Sequence, residues 1–165
     1  MLVNFFSSKN LKNNYKLSFS YRFTKEYEDG LFSRVRPYFK CFPLNLPYLN
    51  NFIFFQNWQN SKFINFFLKF FRLLTNFPFL LYEIFVLYRV LSKVNPNILH
   101  VNSGGYPPTM SAKAAIIAAH FCGVKKIILV VNNLAEDYSS LSRLMDLPLD
   151  KVITCYVDLF ITASV

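Results

Sequence analysis

The sequence predicts an α/β fold, a parallel sheet flanked by helices. Three observations carry it. From Ile98 onward, short apolar runs ("ILHV", "KIILVV", "DLFITAS") alternate with helical patterns. Those runs lack a polar–apolar alternation, which suits strands buried on both faces of a parallel sheet. The helix between the first two runs is rich in alanine (Ala112, Ala114, Ala115, Ala118, Ala119), so its backbone can lie close to that sheet. Strand–helix alternation of this kind implies right-handed crossovers and layered packing.

The elements follow in order. Asn4 to Asn14 is polar, and residues 1–14 read as a disordered or frayed start. In "YKLSFSYRF" Leu17, Phe19, Tyr21 and Phe23 share one face, the mark of a strand. "TKEYEDG" reads as a loop ending at Gly30, and "RVRPYFKCFPLNLP" as an extended stretch broken by Pro37, Pro43 and Pro47. Residues 44–51 read as loop. From Trp58, polar residues recur at Lys62, Asn65, Lys69, Arg72 and Asn76 among Phe, Ile and Leu, a narrow polar stripe on an apolar helix. Pro78 is expected to end or kink it. A second helix, "FLLYEIFVLYRVLSKV", then runs to "NPN" at 95–97.

After the strand "ILHV" comes the loop "SGGYPP", then the helix "TMSAKAAIIAAHFC" with Thr109 or Ser111 as N-cap and Gly123 just past its end. "KIILVV" leads to the loop "NNLAEDYSS". "LPLDKVITCYV" is a helix opened by Pro148 or Asp150, and "DLFITAS" is the last strand. No internal repeat is evident.

Composition divides the chain. Residues 1–95 hold 13 Lys/Arg against 4 Asp/Glu and 18 of the 20 Phe, whereas residues 96–165 hold 5 Lys/Arg and 5 Asp/Glu. A basic aromatic segment can meet phosphates and bases, or an anionic membrane. The cations do not cluster as a recognition helix would, which argues against nucleic acid as a partner. No uncharged run reaches the roughly 18–20 residues of a membrane span, because Glu83 and Arg89 interrupt the most apolar one. Core helices and helices lying at a membrane interface both remain open, with Lys62, Lys69 and Arg72 as the candidate membrane contacts. The three cysteines (Cys41, Cys122, Cys155) form no CxxC and suggest neither disulfides nor a metal site. The amino terminus does not read as a secretory signal, so a reduced, cytoplasmic compartment is expected.

In an open parallel sheet, ligands sit beyond the carboxyl ends of the strands. Two loops here occupy that place, Asn102–Pro108 and Asn132–Ser139. Asn102, Ser103, Gly104, Gly105, Asn132 and Asn133 are therefore the candidate substrate-binding residues. Asparagine donates and accepts hydrogen bonds at once, and glycine admits close backbone approach. The same Gly-Gly-x-Pro-Pro run also fits a plain turn. It is not a P-loop, and no Ser–His–Asp or Cys–His arrangement or carboxylate pair is indicated. His100 and His120 read as structural.

Taken together, "NILHVNS", "AAIIAAHFCGV", "ILVVNN" and "VDLFITAS" resemble the amino-terminal domain of GT-B glycosyltransferases of the retaining, family-4 type. Their counterparts there read "DIVHVHS", "AAxxAAxxxGV", "VxTVHN" and "VDxFITxS". "YKLSFSYRFTKEYEDGLFSRV" is similar to that family's early strand and its lead-in. The resemblance implies a Rossmann-like half of a GT-B fold over residues 15–165. It also implies an enzyme that moves a sugar from a nucleotide-sugar donor to a glycan or lipid-linked acceptor. The amino-terminal half shapes the acceptor pocket, and a carboxyl-terminal domain with a Glu-x7-Glu element holds the donor. No metal and no cofactor beyond that co-substrate is implied.

Two departures shape the expectation. The sequence shows no donor domain, so a carboxyl-terminal donor-domain polypeptide is the implied partner, and the chain alone is expected to be inactive. The family's histidines are replaced by Asn102 and Asn132, which can orient a hydroxyl but cannot act as general acid or base. The expected role is acceptor-side binding in polysaccharide or glycolipid synthesis, on the cytoplasmic membrane face. The rival is a non-catalytic scaffold or binding protein, or a decayed fragment, that keeps the fold.

Overall fold

A computed structural model describes residues 14–34, 39–46, 62–133, 137–138 and 141–162. The chain divides into two compact units, Met1–Tyr48 and Leu49–Val165.

The first unit is a β–α–β element. Strand β1 (Ser18–Arg22) runs parallel to β2 (Lys40–Leu44), with Phe19 opposite Cys41 and Tyr21 opposite Pro43. Between them lies helix α1 (Lys25–Arg34), where a loop was expected. Glu26 and Glu28 in its first turn suit the positive end of the helix dipole, and these local terms outweigh the cost of Gly30 within it. The Tyr21 hydroxyl donates to the Glu28 carboxylate, tying strand to helix. Pro43 is tolerated because β2 pairs only with β1 among the described residues, and an edge strand can spare one N–H.

The second unit carries three parallel strands in the order β3 (Ile98–Ser103), β4 (Lys126–Val131), β5 (Leu159–Thr162). Val101 stands opposite Leu129, and Leu129 opposite Phe160. The fold class read from the sequence, α/β with parallel strands flanked by helices, is the one observed.

Helix α2 (Lys62–Val94) is continuous through Pro78, so the two helices expected here are one. Proline removes one backbone hydrogen bond, a cost of about 3 kcal/mol. Packing of Leu80, Leu87 and Leu91, all buried at helical spacing, offsets it. The helix ends as "NPN" implies: Asn95 adopts φ 49° and its N–H returns to the Leu91 carbonyl. The backbone at Lys62, Lys69 and Arg72 is helical, but their side chains lie outside the described residues.

Helix α3 (Met110–Phe121) follows β3, capped by the Thr109 hydroxyl, which accepts from the Ala112 N–H. Gly123 (φ +69°) lies just past its end, as expected. Ala114, Ala118, Ala119 and Ile116 are fully buried, so α3 packs tightly. Cys122 joins it to α2, with its sulfur 3.6 Å from the Tyr88 carbonyl and 3.4 Å from the Ser92 hydroxyl. Helix α4 (Leu141–Tyr156) begins earlier than Pro148 or Asp150, and Pro148 sits inside it. Its buried Ile153 and Asp150 hold this helix in place despite the lost N–H.

One face of β3 and β4 is covered, where Val101, Ser103, Ile127, Leu129 and Val131 are buried, but Phe160 and Thr162 of β5 on that same face are exposed. The alternate residues His100, Ile128 and Val130 are only half-buried, and Leu159 and Ile161 are exposed. Burial on both faces, expected from the apolar runs, holds on one face of β3 and β4 and on neither face of β5 among the described residues.

Candidate functional site

The site stands at the carboxyl ends of β3 and β4. Residues paired across parallel strands point to one face, so Asn102 lies with Val130 and His100 with Ile128 on the less covered side. The ladder continues one step past β4, where the Asn132 N–H donates to the Ser103 carbonyl at 3.2 Å. That step brings the two asparagines together. The Asn132 side-chain amide donates to Asn102 Oδ1 at 2.8 Å and to the Ser103 carbonyl at 3.0 Å.

This geometry assigns the remaining chemistry. Both Nδ2 protons of Asn132 are used. Among the described residues, its Oδ1 acceptor and the Asn102 Nδ2 donors are left for a ligand. Both residues are exposed. A donor and an acceptor set side by side match a hydroxyl, which needs one of each.

The other expected residues fall in distinct places. Ser103 is buried, and its hydroxyl donates to the Gly105 carbonyl at 3.0 Å, so it shapes the loop rather than facing a ligand. Gly104 is exposed, and an added Cβ there would meet nothing within 4 Å. Among the described residues nothing demands glycine at that position. Gly105 is half-buried and Asn133 exposed. The Tyr106–Pro107 peptide is cis. Of the second loop, residues 134–136, 139 and 140 lie outside the described residues, Glu136 among them.

A polar cluster that the sequence reading did not single out adjoins these loops. Lys113 of α3 is 2% exposed, and Asp150 of α4 is 1% exposed. Lys113 Nζ lies 2.8 Å from Asp150 Oδ1 and 3.6 Å from Asp146 Oδ2. Asp150 Oδ2 accepts from the Tyr138 hydroxyl at 2.9 Å. Tyr106 packs edge-on against Phe160 at 6.3 Å between ring centres. Burial, then the Asp150 carboxylate, pushes the Tyr138 phenol well above its ordinary range. The same two causes, in the same order, raise Tyr106. The signal for Lys113 was available: it lies three and four residues before Ile116 and Ile117, on a buried face of its helix.

His100 is half-buried in β3, and desolvation lowers its pKa below the ordinary 6.5, so the ring is neutral at neutral pH. His120 is exposed and stacks flat on Tyr156 at 3.8 Å. Asp158, the acidic residue of "VDLFITAS", accepts from the Ile127 N–H at 2.7 Å and returns its own N–H to the Ile127 carbonyl. It joins β5 to β4 at the end opposite the asparagines.

Among the described residues no cluster of His, Cys, Asp or Glu could hold a metal ion, and no helix is long and apolar enough to cross a membrane. Compared with family models, curated proteins and solved structures, the chain matches none, so its function is argued from this geometry.

Proposed function

We propose that this chain is the acceptor-side half of a glycosyltransferase that moves a sugar from a nucleotide-sugar to a glycan or lipid-linked acceptor. The observation that carries it is the Asn102–Asn132 pair at the carboxyl ends of adjacent parallel strands. Amides neither give nor take protons at neutral pH, so the pair orients an acceptor hydroxyl. Stabilising the departing diphosphate falls to a donor domain, on a longer chain or on a separate polypeptide. The same amides favour a second reading, a glycan-binding protein with no transfer step.

Contact with an anionic membrane surface belongs to this proposal. Phe77, Leu81, Phe85 and Tyr88 are exposed along one side of α2, and the Arg89 guanidinium lies 4.5 Å from the Phe85 ring centre. An apolar stripe beside cations suits the boundary between headgroups and acyl chains. Lys62, Lys69 and Arg72 lie on the same helix.

The test is turnover of UDP- and GDP-sugars with lipid-linked acceptors, with and without the polypeptide encoded next to this chain. No turnover alone, and turnover on mixing that falls at least tenfold in Asn102→Ala, is expected. Robust turnover by the chain alone defeats the half-enzyme reading. Glycan binding with no turnover in either case decides for the second reading.

A further inference from the structure

We infer that the sheet face beside the Asn102–Asn132 pair seats the apolar chain of an amphiphilic acceptor, whose hydroxyl head meets the two amides. This narrows the acceptor to a lipid-linked one, and it rests on that pair being the binding site, as proposed above.

Strand register brings the two surfaces together. Parallel pairing sets Asn102 level with Val130, and Val130 level with Ile161, all on one face. One step down, His100, Ile128 and Leu159 share that face, and Ile98 and Lys126 end it. Ile128 and Val130 are only half-buried, while Ile98, Leu159 and Ile161 are exposed. His100 puts no charge there at neutral pH, because desolvation keeps its ring neutral. The Asn102 and Asn132 amides, in 2.8 Å contact, stand at the carboxyl end of the same face. An aliphatic floor therefore runs directly into a hydrogen-bonding pair.

Size and chemistry decide the occupant. From Asn132 down to Ile128 the extended chain covers about 13 Å, and three strands span about 10 Å. That footprint is on the order of 130 Å², against roughly 800 Å² per partner for a stable protein interface. A second copy or a protein partner finds too little surface on this face, whereas a single alkyl chain is matched by it. A free glycan would satisfy the amides and leave the aliphatic floor in water. An amphiphile satisfies both, with its hydroxyl on Asn102 Nδ2 and Asn132 Oδ1 and its chain on Val130, Ile128, Leu159 and Ile161. Lys126, exposed at the far end, limits the chain length that gains affinity.

The test is titration of the purified chain, followed by NMR, with butyl, hexyl and octyl glucosides kept below micelle formation. The expected result is an affinity that rises at least about fourfold with each pair of methylenes. A fully buried methylene gives about that much alone, and an open face shields the chain on one side only. Asn102→Ala should weaken all three glucosides alike. Leu159→Thr with Ile161→Thr should flatten the rise with chain length and leave butyl glucoside nearly unchanged. Phe160→Thr, on the opposite face of the same strand, is the control and should alter neither. If the double variant fails to fold, Ile161→Thr alone takes its place. No binding, or equal affinity along the series, overturns the inference; in the second case another part of the chain or a partner covers the face. A rise flattened equally by Phe160→Thr also overturns it. Equal affinities that are lost in Asn102→Ala leave the amide pair as a binding site without the apolar seat. A steep rise untouched by Asn102→Ala keeps the apolar seat and defeats the amide pair.

Discussion

Asp158 closes the amino end of the β4–β5 pair with both its carboxylate and its backbone. A charge-assisted hydrogen bond to a backbone N–H is worth more than a neutral one, so Asp158→Ala is expected to cost about 1–3 kcal/mol in urea unfolding. Gly104 is the opposite case. Its backbone is outside the left-handed region and its surroundings are open. Gly104→Ala should therefore leave stability unchanged or raise it by up to about 1 kcal/mol, through the unfolded chain. If a ligand approaches that backbone, the same substitution weakens acceptor binding, and thermal melts beside binding titrations separate the two effects. The sequence made Asn102 and Asn132 legible as a pair, because both follow apolar strands directly. It did not show that Asn132 would spend both amide protons inside the protein, since that depends on strand register. Ser103 is buried for a related reason: one step along a strand turns a side chain to the other face.

At the level of elements, Lys113 and Asp150 set α3 against α4. Lys113→Met leaves a carboxylate buried without its cation, and the expected loss is about 3–5 kcal/mol. Lys113→Met with Asp150→Leu should recover most of that loss, because two well-packed apolar side chains often replace a buried pair at little cost. Chemical denaturation of the single and double variants checks both statements. The strands and α3 were readable from periodicity and caps: Thr109 and Gly123 mark the helix ends in the sequence as they do in space. Proline and glycine misled in the other direction. Pro78 and Pro148 lie inside helices and Gly30 lies within α1, because buried contacts or terminal charges outweigh one local penalty. Such contacts are not visible in a single stretch of sequence.

For the whole molecule, the shifted side chains define a pH window. His100 has a lowered pKa in the folded state, so the unfolded chain binds the proton more readily. Its contribution to stability is present above pH 6.5 and is lost as the pH falls from there through the folded value. Tyr106 and Tyr138 are raised, so their contribution is present below pH 10 and is lost as the pH rises through their folded values. The midpoint of urea unfolding should therefore decline on both sides of that window. His100→Asn should flatten the acid limb and Tyr138→Phe the alkaline one.

Strand β5 bears on handling as much as on fold. Leu159, Phe160 and Ile161 are 43%, 38% and 42% exposed, and among the described residues the strand pairs on one side only. An apolar strand with unpaired N–H and C=O groups is a template for edge-to-edge aggregation. Concentrated preparations should therefore precipitate through this strand. Ile161→Lys, which points a charge from that edge, should raise the concentration at which light scattering first appears.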